Sequence, residues 1–314
     1  MNILVSYYFA RRDADRWDYW LREASQQGWS ILIDSGAFSA FTQRDTIDLD
    51  AYCRFLERRE PLLWDYIALD VVNDAPSTLR NLQAMVMRGL QPMPVLTEDM
   101  PTDRVPELMA TSQNERVCIA GPTHWPTSAV MARMRLAGQV APRAALHGLG
   151  LTRETAAWRC GASSVDSSTW AVGTRYGKLS TFSMQAGCTQ HDWRVLRSSD
   201  RNAWPRSVQA LVLRAGISRE DVDAEWFARG AMSGLNLITC LAWLQFAEFA
   251  ARRNVRFFFA TTSLQQLMPL AAACTMLNGG TLRASYQRGC ELLQMWKEDR
   301  ARAIDAVLRS PWPV

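Results

Sequence analysis

Two runs of sequence each set an acid directly behind apolar residues: Ile31-Leu32-Ile33-Asp34-Ser35-Gly36-Ala37-Phe38 and Ser163-Ser164-Val165-Asp166-Ser167-Ser168-Thr169-Trp170. Each reads as a buried strand that delivers one carboxylate to its C-terminal end. In a parallel α/β barrel the strand ends of that polarity meet at one mouth, so Asp34 and Asp166 would face each other there despite their separation in sequence. Two facing carboxylates suit glycosidic-bond chemistry, one as nucleophile and the other as proton carrier. Asp70, behind Tyr66-Ile67-Ala68-Leu69, repeats the arrangement. An isolated Asp-Ser-Gly is more often the cap of a turn. Three strands that each end in an acid favour a functional mouth.

The elements that must position these acids follow from the hydrophobic rhythm. Short apolar runs at Ile3–Ser6, Ser30–Ile33, Tyr66–Leu69, Pro92–Leu96, Val117–Ala120, Ala144–Leu146 and Ser163–Val165 predict strands. Amphipathic stretches at Ala14–Gln26, Leu49–Arg59, Ser77–Arg88, Arg104–Ala110, Thr127–Ala137 and Arg153–Trp158 predict the helices between them. Asp48 and Ser77 are the expected N-caps, and Gly28 and Gly89 sit where helices should stop. Repeated βα units with right-handed crossovers predict an α/β fold of the (β/α)8 TIM-barrel type with a helical C-terminal extension. Leu179–Ser183 and Val255–Phe259 compete for the eighth strand. The expected organisation is a catalytic barrel over residues 1–190 and a mainly helical part over 191–314 that packs on it and is able to supply the last strand. In that second part, helices are predicted at Asp221–Arg229, Leu235–Arg253, Ser263–Leu277 and Leu282–Leu308, with a loop at Ser198–Pro205.

Composition narrows the classes. With 314 residues, 48% of them hydrophobic, the chain can bury a large core, as one barrel with additions or as two domains. The net charge of +4 is carried almost wholly by arginine, the lysines being Lys178 and Lys297. Arginine suits phosphates and stacked bases, although a GC-rich genome produces the same bias. Seven scattered cysteines argue against a disulfide framework and for a reducing, cytoplasmic compartment. The N-terminus reads as a first strand and not as a signal peptide. The apolar stretch Leu235–Ala250, interrupted by Gln245 and Glu248, reads as too short for a membrane span, so no membrane is expected as a partner. The absence of a Gly-x-Gly-x-x-Gly or P-loop motif removes the main support for a nucleotide-binding fold.

Asp34-Ser35-Gly36-Ala37-Phe38-Ser39 resembles the Asp-Ser-Gly-Gly-Phe/Tyr-Gln signature of tRNA-guanine transglycosylases, with Ala for the second Gly and Ser for Gln. Ala68-Leu69-Asp70 is similar to that family's strand ending in the Asp that reads guanine, and His147-Gly148-Leu149-Gly150 to its Gly-Gly-Leu loop. Val165-Asp166 followed by Thr174-Arg175-Tyr176-Gly177 resembles the segment of the nucleophilic Asp and the Pro-Thr-Arg after it. The four pieces occur in the family's order across about half of the chain. The family's zinc run, Cys-x-Cys-x-x-Cys with a distant His, is not visible. Cys188-x-x-His191 is the only tight Cys/His spacing, and ordinary packing is favoured for it. The shorter chain and the different C-terminal part resemble the DpdA-type DNA 7-deazaguanine transglycosylases of phages and bacteria.

That resemblance implies a glycosyltransferase, more narrowly a pentosyltransferase, that exchanges guanine in DNA for a 7-deazaguanine such as preQ0. Asp166 would be the nucleophile and Asp34 the acid/base. Ser35, Phe38, Asp70, His147, Gly148 and Leu149 would bind the base, with Phe38 stacking on it and Asp70 accepting from its N1–H and amine. A DNA base must be flipped or offered single-stranded, and Arg44, Arg175 and Lys178 are the first phosphate-binding candidates, followed by Arg201 and Arg206 near Trp204. No cofactor and no metal are expected. The setting implied is the cytoplasm of a bacterium, for a phage protein acting in its host or for a bacterial one. Competing readings are a tRNA-guanine transglycosylase, a nucleic-acid-binding barrel without catalysis, and an unrelated barrel glycosidase or lyase. Trp17, Trp20, Trp158 and Trp193, interleaved with arginines, read as helix packing. His124, after a predicted strand, could line the mouth.

Overall fold

Runs such as Ile3-Leu4-Val5 and Ile31-Leu32-Ile33 are apolar at successive positions, which suits strands covered on both faces, and the structure buries all six residues. The structure is a computed structural model and describes residues 1–121, 125–151, 159–172, 179–183, 188–192, 225–228 and 230–313. The predicted helix Arg153–Trp158, His124, Arg175, Lys178, Trp193 and the Ser198–Pro205 stretch with Arg201 and Trp204, together with Arg206, lie outside the described residues.

The chain divides into two compact units, Asn2–Ser167 with Ala250–Thr262, and Met1 with Ser168–Phe249 and Ser263–Val314. The first unit is an α/β fold around an eight-stranded, all-parallel sheet of the TIM-like kind. Its strands are β1 (Asn2–Ser6), β2 (Ser30–Asp34), β3 (Asp65–Tyr66), β4 (Val95–Leu96), β5 (Arg116–Ala120), β6 (Ala145–Leu149), β7 (Ala162–Ser167) and β10 (Arg256–Thr261). They run in the order β3-β2-β1-β10-β7-β6-β5-β4, so β10 fills the place between β7 and β1. The end strands approach each other through a parallel bridge between Ile67 and Met93, with Ala68 N–H donating to the Met93 carbonyl at 2.9 Å. Of the two candidates for the eighth strand, the sheet takes the later one. Leu179–Ser183 (β8) instead forms an antiparallel hairpin with Cys188–Asp192 (β9). β3 and β4 are shorter than the apolar runs predict, since regular pairing there covers two residues in each.

The connections are α1 (Ala14–Gln26), α2 (Ala37–Thr42), α3 (Leu49–Glu57), α4 (Ala75–Met87), α5 (Val105–Ser112) and α6 (Thr127–Val140). Asp48 caps α3 by accepting from Ala51 N–H. At α4 the cap is Asp74 and not Ser77: its carboxylate accepts from Ser77 N–H at 3.0 Å, and Pro76 sits in the first turn, where its missing N–H costs no bond. Leu4, Leu32, Ile67, Met93, Val95, Cys118 and Phe258 form one buried cluster inside the curl of the sheet, while the alternate residues Ile3, Val5, Ile31 and Ile33 pack on its other face.

The second unit contains the β8-β9 hairpin, most of α7 (Gly234–Ala251), α8 (Leu267–Leu277), α9 (Leu282–Glu298) and α10 (Arg300–Leu308). The single helix predicted over Leu282–Leu308 is broken at Asp299, whose backbone is extended and whose carboxylate caps Arg302 N–H. Of the helix predicted over Asp221–Arg229, Glu225–Ala228 is described and helical. Despite Gln245 and Glu248, α7 is long and apolar enough to cross a membrane by length and composition, with a mean hydropathy of 1.2; 67% of it is buried inside the protein, as a core helix is.

Candidate active site

Parallel strands place all their C-terminal ends on one side of the sheet, and three acids arrive there. Asp34 is the last residue of β2 and lies in register with Ser6, the last of β1. Asp166 is the penultimate residue of β7, in register with Phe258 of the interior cluster, so its side chain shares that face. Asp70 follows the Ile67 bridge by three positions. Burial first, and then the proximity of Asp70 and Asp166, pushes the Asp34 carboxyl up to about 7 against the pull of the Gly36 and Ser35 backbone N–H groups. Burial likewise raises Asp70 to about 6, opposed by its own backbone N–H and by the Ser35 hydroxyl. Among the described residues no arginine or lysine forms an ion pair with any of the three.

The loop after β2 is built around Ser35 and Gly36. Gly36 N–H donates to Asp34 Oδ2 at 2.9 Å, and the fully buried Ser35 hydroxyl donates to Asp70 Oδ1 at 3.4 Å while accepting from Ala37 N–H at 3.2 Å. Gly36 has φ +82°, and a Cβ there would stand 2.4 Å from Tyr8 Cβ and 2.5 Å from Ser6 Oγ, so the turn requires glycine. The Ser6 hydroxyl beside this turn is buried without a hydrogen-bond partner among the described residues.

Asp166 is held differently. Its Oδ1 accepts from Gly150 N–H at 2.8 Å and lies 3.3 Å from His147 Nε2, while His147 Nδ1 lies 2.9 Å from Ser164 Oγ. His147 is fully buried, edge-on to Phe258. The resemblance implies base binding for His147, and its side chain is here engaged with Asp166. Gly148 lies within β6, in register with Ile119 on one side and Val165 on the other, and Leu149 is half-buried beside Ala120.

Phe38 is 57% exposed on α2, and Phe41, three positions on, equally so. Arg44 is exposed at the end of that helix with a left-handed backbone. Trp17 and Trp20 pack edge to face in α1, and Trp20 likewise with Trp29. Cys188 and His191 both lie on β9, and among the described residues no three His, Cys, Asp or Glu side chains gather as metal ligands. A cavity of about 480 Å³ in the second unit, bordered by Trp170, Met232, Asn236 and Pro269, has no acidic, basic or histidine side chain among its described lining.

Three residues at this site escape the sequence reading. Ser164 and Gly150 contact the His147–Asp166 pair, and Tyr52, whose hydroxyl donates to the Ile67 carbonyl at 2.7 Å, has its phenol pushed well up by burial and by the charge of Asp34. The i, i+2 spacing of Ser164 and Asp166 was a usable signal, since it places both on one face of a strand.

A scan against models of protein families and a search of curated proteins both find no match to this chain.

Proposed function

We propose that this protein is a DNA-guanine transglycosylase that exchanges guanine for a 7-deazaguanine base through a covalent aspartyl-glycosyl intermediate. The observation that carries the reading is the meeting of Asp34, Asp70 and Asp166 at the C-terminal ends of parallel strands, with Asp34 raised to about 7, where one carboxyl group can both give and take a proton at neutral pH. The reading takes the curled sheet as a (β/α)8-type barrel with a helical C-terminal extension. The four sequence pieces that resemble guanine transglycosylases supply the choice of substrate.

In this mechanism an Asp166 oxygen attacks C1′ of the deoxyguanosine through an oxocarbenium-like transition state. The C1′–N9 bond breaks, and Asp34 protonates the departing guanine. The incoming 7-deazaguanine gives its N9 proton to Asp34, forms the new C1′–N9 bond and releases Asp166. Two displacements on opposite faces of C1′ retain the anomeric configuration. Asp70 accepts from the N1–H and the exocyclic amine of the base, a donor pair that adenine does not present. Ser35, Phe38, Gly148 and Leu149 frame the base, and Arg44, Arg175 and Lys178 hold phosphates of a flipped or single-stranded substrate. The setting is the cytoplasm of a bacterium or of a phage-infected host.

Labelled guanine and labelled preQ0 offered with duplex DNA, single-stranded DNA and tRNA in parallel test the reading, with Asp166→Ala as control. Label in DNA, dependent on Asp166, is the expected result. Label in tRNA alone would transfer the function to the tRNA enzyme, and label in none would leave a binding protein.

A further inference from the structure

The contact between His147 and Asp166 has a local cause. Pairing of β6 with β7 slips by one residue between Leu146 and His147, so that His147 stands opposite Ser164 instead of Ser163. The displaced Ser163 hydroxyl donates to the Leu146 carbonyl at 2.9 Å. Because side chains alternate along a strand, this bulge turns Ser164 and Asp166 together onto the face of His147.

The hydrogens on this chain of contacts follow from counting donors. Gly150 N–H can only donate, so Asp166 Oδ1 acts as an acceptor, and His147 Nε2 at 3.3 Å must bring a hydrogen to it. Ser164 is 2% exposed, and among the described residues its hydroxyl has His147 Nδ1 as its one partner. If Nδ1 carried a hydrogen, the Ser164 O–H would be buried without an acceptor, which costs more than the bond gains. The hydroxyl therefore donates to a bare Nδ1, and the imidazole is the Nε2–H tautomer. Both donors then fall on one oxygen of Asp166. Among the described residues Oδ2 has no donor.

We infer that His147 is a positioning residue: oriented by Ser164, it holds Asp166 by Oδ1 and presents Oδ2 as the oxygen that attacks C1′. The inference rests on the transglycosylase reading for what Oδ2 attacks, and on geometry alone for the tautomer. It also gives His147 a role other than base binding.

Two measurements separate these parts. The ring nitrogens of His147, one of three histidines in the chain, are read in a long-range ¹H–¹⁵N spectrum assigned with His147→Gln. A protonated Nε2 with a bare Nδ1 is expected; a protonated Nδ1 overturns the relay, whatever the protein catalyses. Single-turnover base release from guanine-containing single-stranded DNA is then compared across variants of confirmed melting temperature. His147→Gln, whose amide N–H replaces Nε2–H, should stay within about 10-fold of the wild-type rate, whereas His147→Leu should fall about 100-fold with an unchanged KM. Ser164→Ala should lose about 5-fold by freeing the tautomer. Equal loss in His147→Gln and His147→Leu, or none in His147→Leu, overturns the positioning role. Base release by no form, wild type included, sinks the transglycosylase reading instead and leaves the tautomer to the spectrum.

Discussion

The two ends of the parallel strands treat charge in opposite ways. At the N-terminal end, two guanidinium groups lie against the Trp64 ring, Arg116 at 4.6 Å and Arg256 at 4.7 Å from its centre. Arg116 also donates to Asp65 at 3.0 Å, Asn114 reaches both Asp65 oxygens at 3.2 Å, and Arg256 reaches the Ser30 hydroxyl at 3.4 Å. Asp65, Arg116 and Arg256 thus each have a partner of opposite sign, a ring face or a hydroxyl. At the C-terminal end, among the described residues, three acids meet with no arginine or lysine paired to them and the Ser6 hydroxyl has no hydrogen-bond partner, while Gly36 is held in the left-handed region. One end spends its side chains on holding the sheet. The other keeps unneutralised groups close together, which costs stability and is what acid–base and nucleophilic chemistry require.

This contrast can be broken from either end. The largest effect expected is from Asp166→Ala, which should reduce base release by about 10,000-fold or more while the melting temperature stays the same or rises. Gly36→Ala should cost about 3 kcal/mol in denaturant unfolding, because a side chain there meets both Tyr8 and Ser6 in an unfavourable backbone region. Asp34→Asn tests the electrostatics. The folded protein binds this proton at about 7 and an unfolded chain near the ordinary 3.8, so wild-type stability falls as pH rises from about 4 to about 7. The Asn variant escapes that fall, and it should exceed wild type by on the order of 2 kcal/mol at pH 8, a margin that closes toward pH 4. It should also turn over no base, having no proton to give. At the opposite end, Arg116→Met should lower stability by about 1 to 2 kcal/mol, since Asp65 keeps hydrogen bonds from Asn114 and the Tyr66 backbone N–H but loses its ion pair, and should leave base release unchanged. Phe41→Ala, at an exposed position, should change stability by less than about 0.5 kcal/mol, and a larger change would show that the rim of the acid end is structural.

Much of the acid end is legible in the sequence because an apolar strand that stops at Asp-Ser-Gly or at Val-Asp marks where a side chain emerges. Asp34 and Asp166 are found in this way. That His147 and Gly150 hold Asp166 is hidden although both residues stand in the quoted motif, because the contact depends on a one-residue slip between β6 and β7 that no hydrophobic pattern encodes. The eighth strand is ambiguous for a related reason: a long insertion separates β7 from β10, and both Leu179–Ser183 and Arg256–Thr261 are strands, one in a hairpin and one in the sheet. At Leu282–Leu308 the apolar periodicity runs through the break, and only Asp299, a good cap in the middle of the run, signals it. The cap at α4 misleads in the opposite sense, since both Asp74 and Ser77 are capping residues and Pro76 fits inside the first turn.

The central claim is that Asp166 carries the sugar during exchange. Acid quenching of the protein with guanine-containing single-stranded DNA, followed by intact mass and peptide mapping, measures it directly. The account predicts a DNA adduct on the peptide containing Asp166, absent from Asp166→Ala and discharged when preQ0 is added. An adduct on any other residue, or exchange by Asp166→Ala at the wild-type rate, would contradict it.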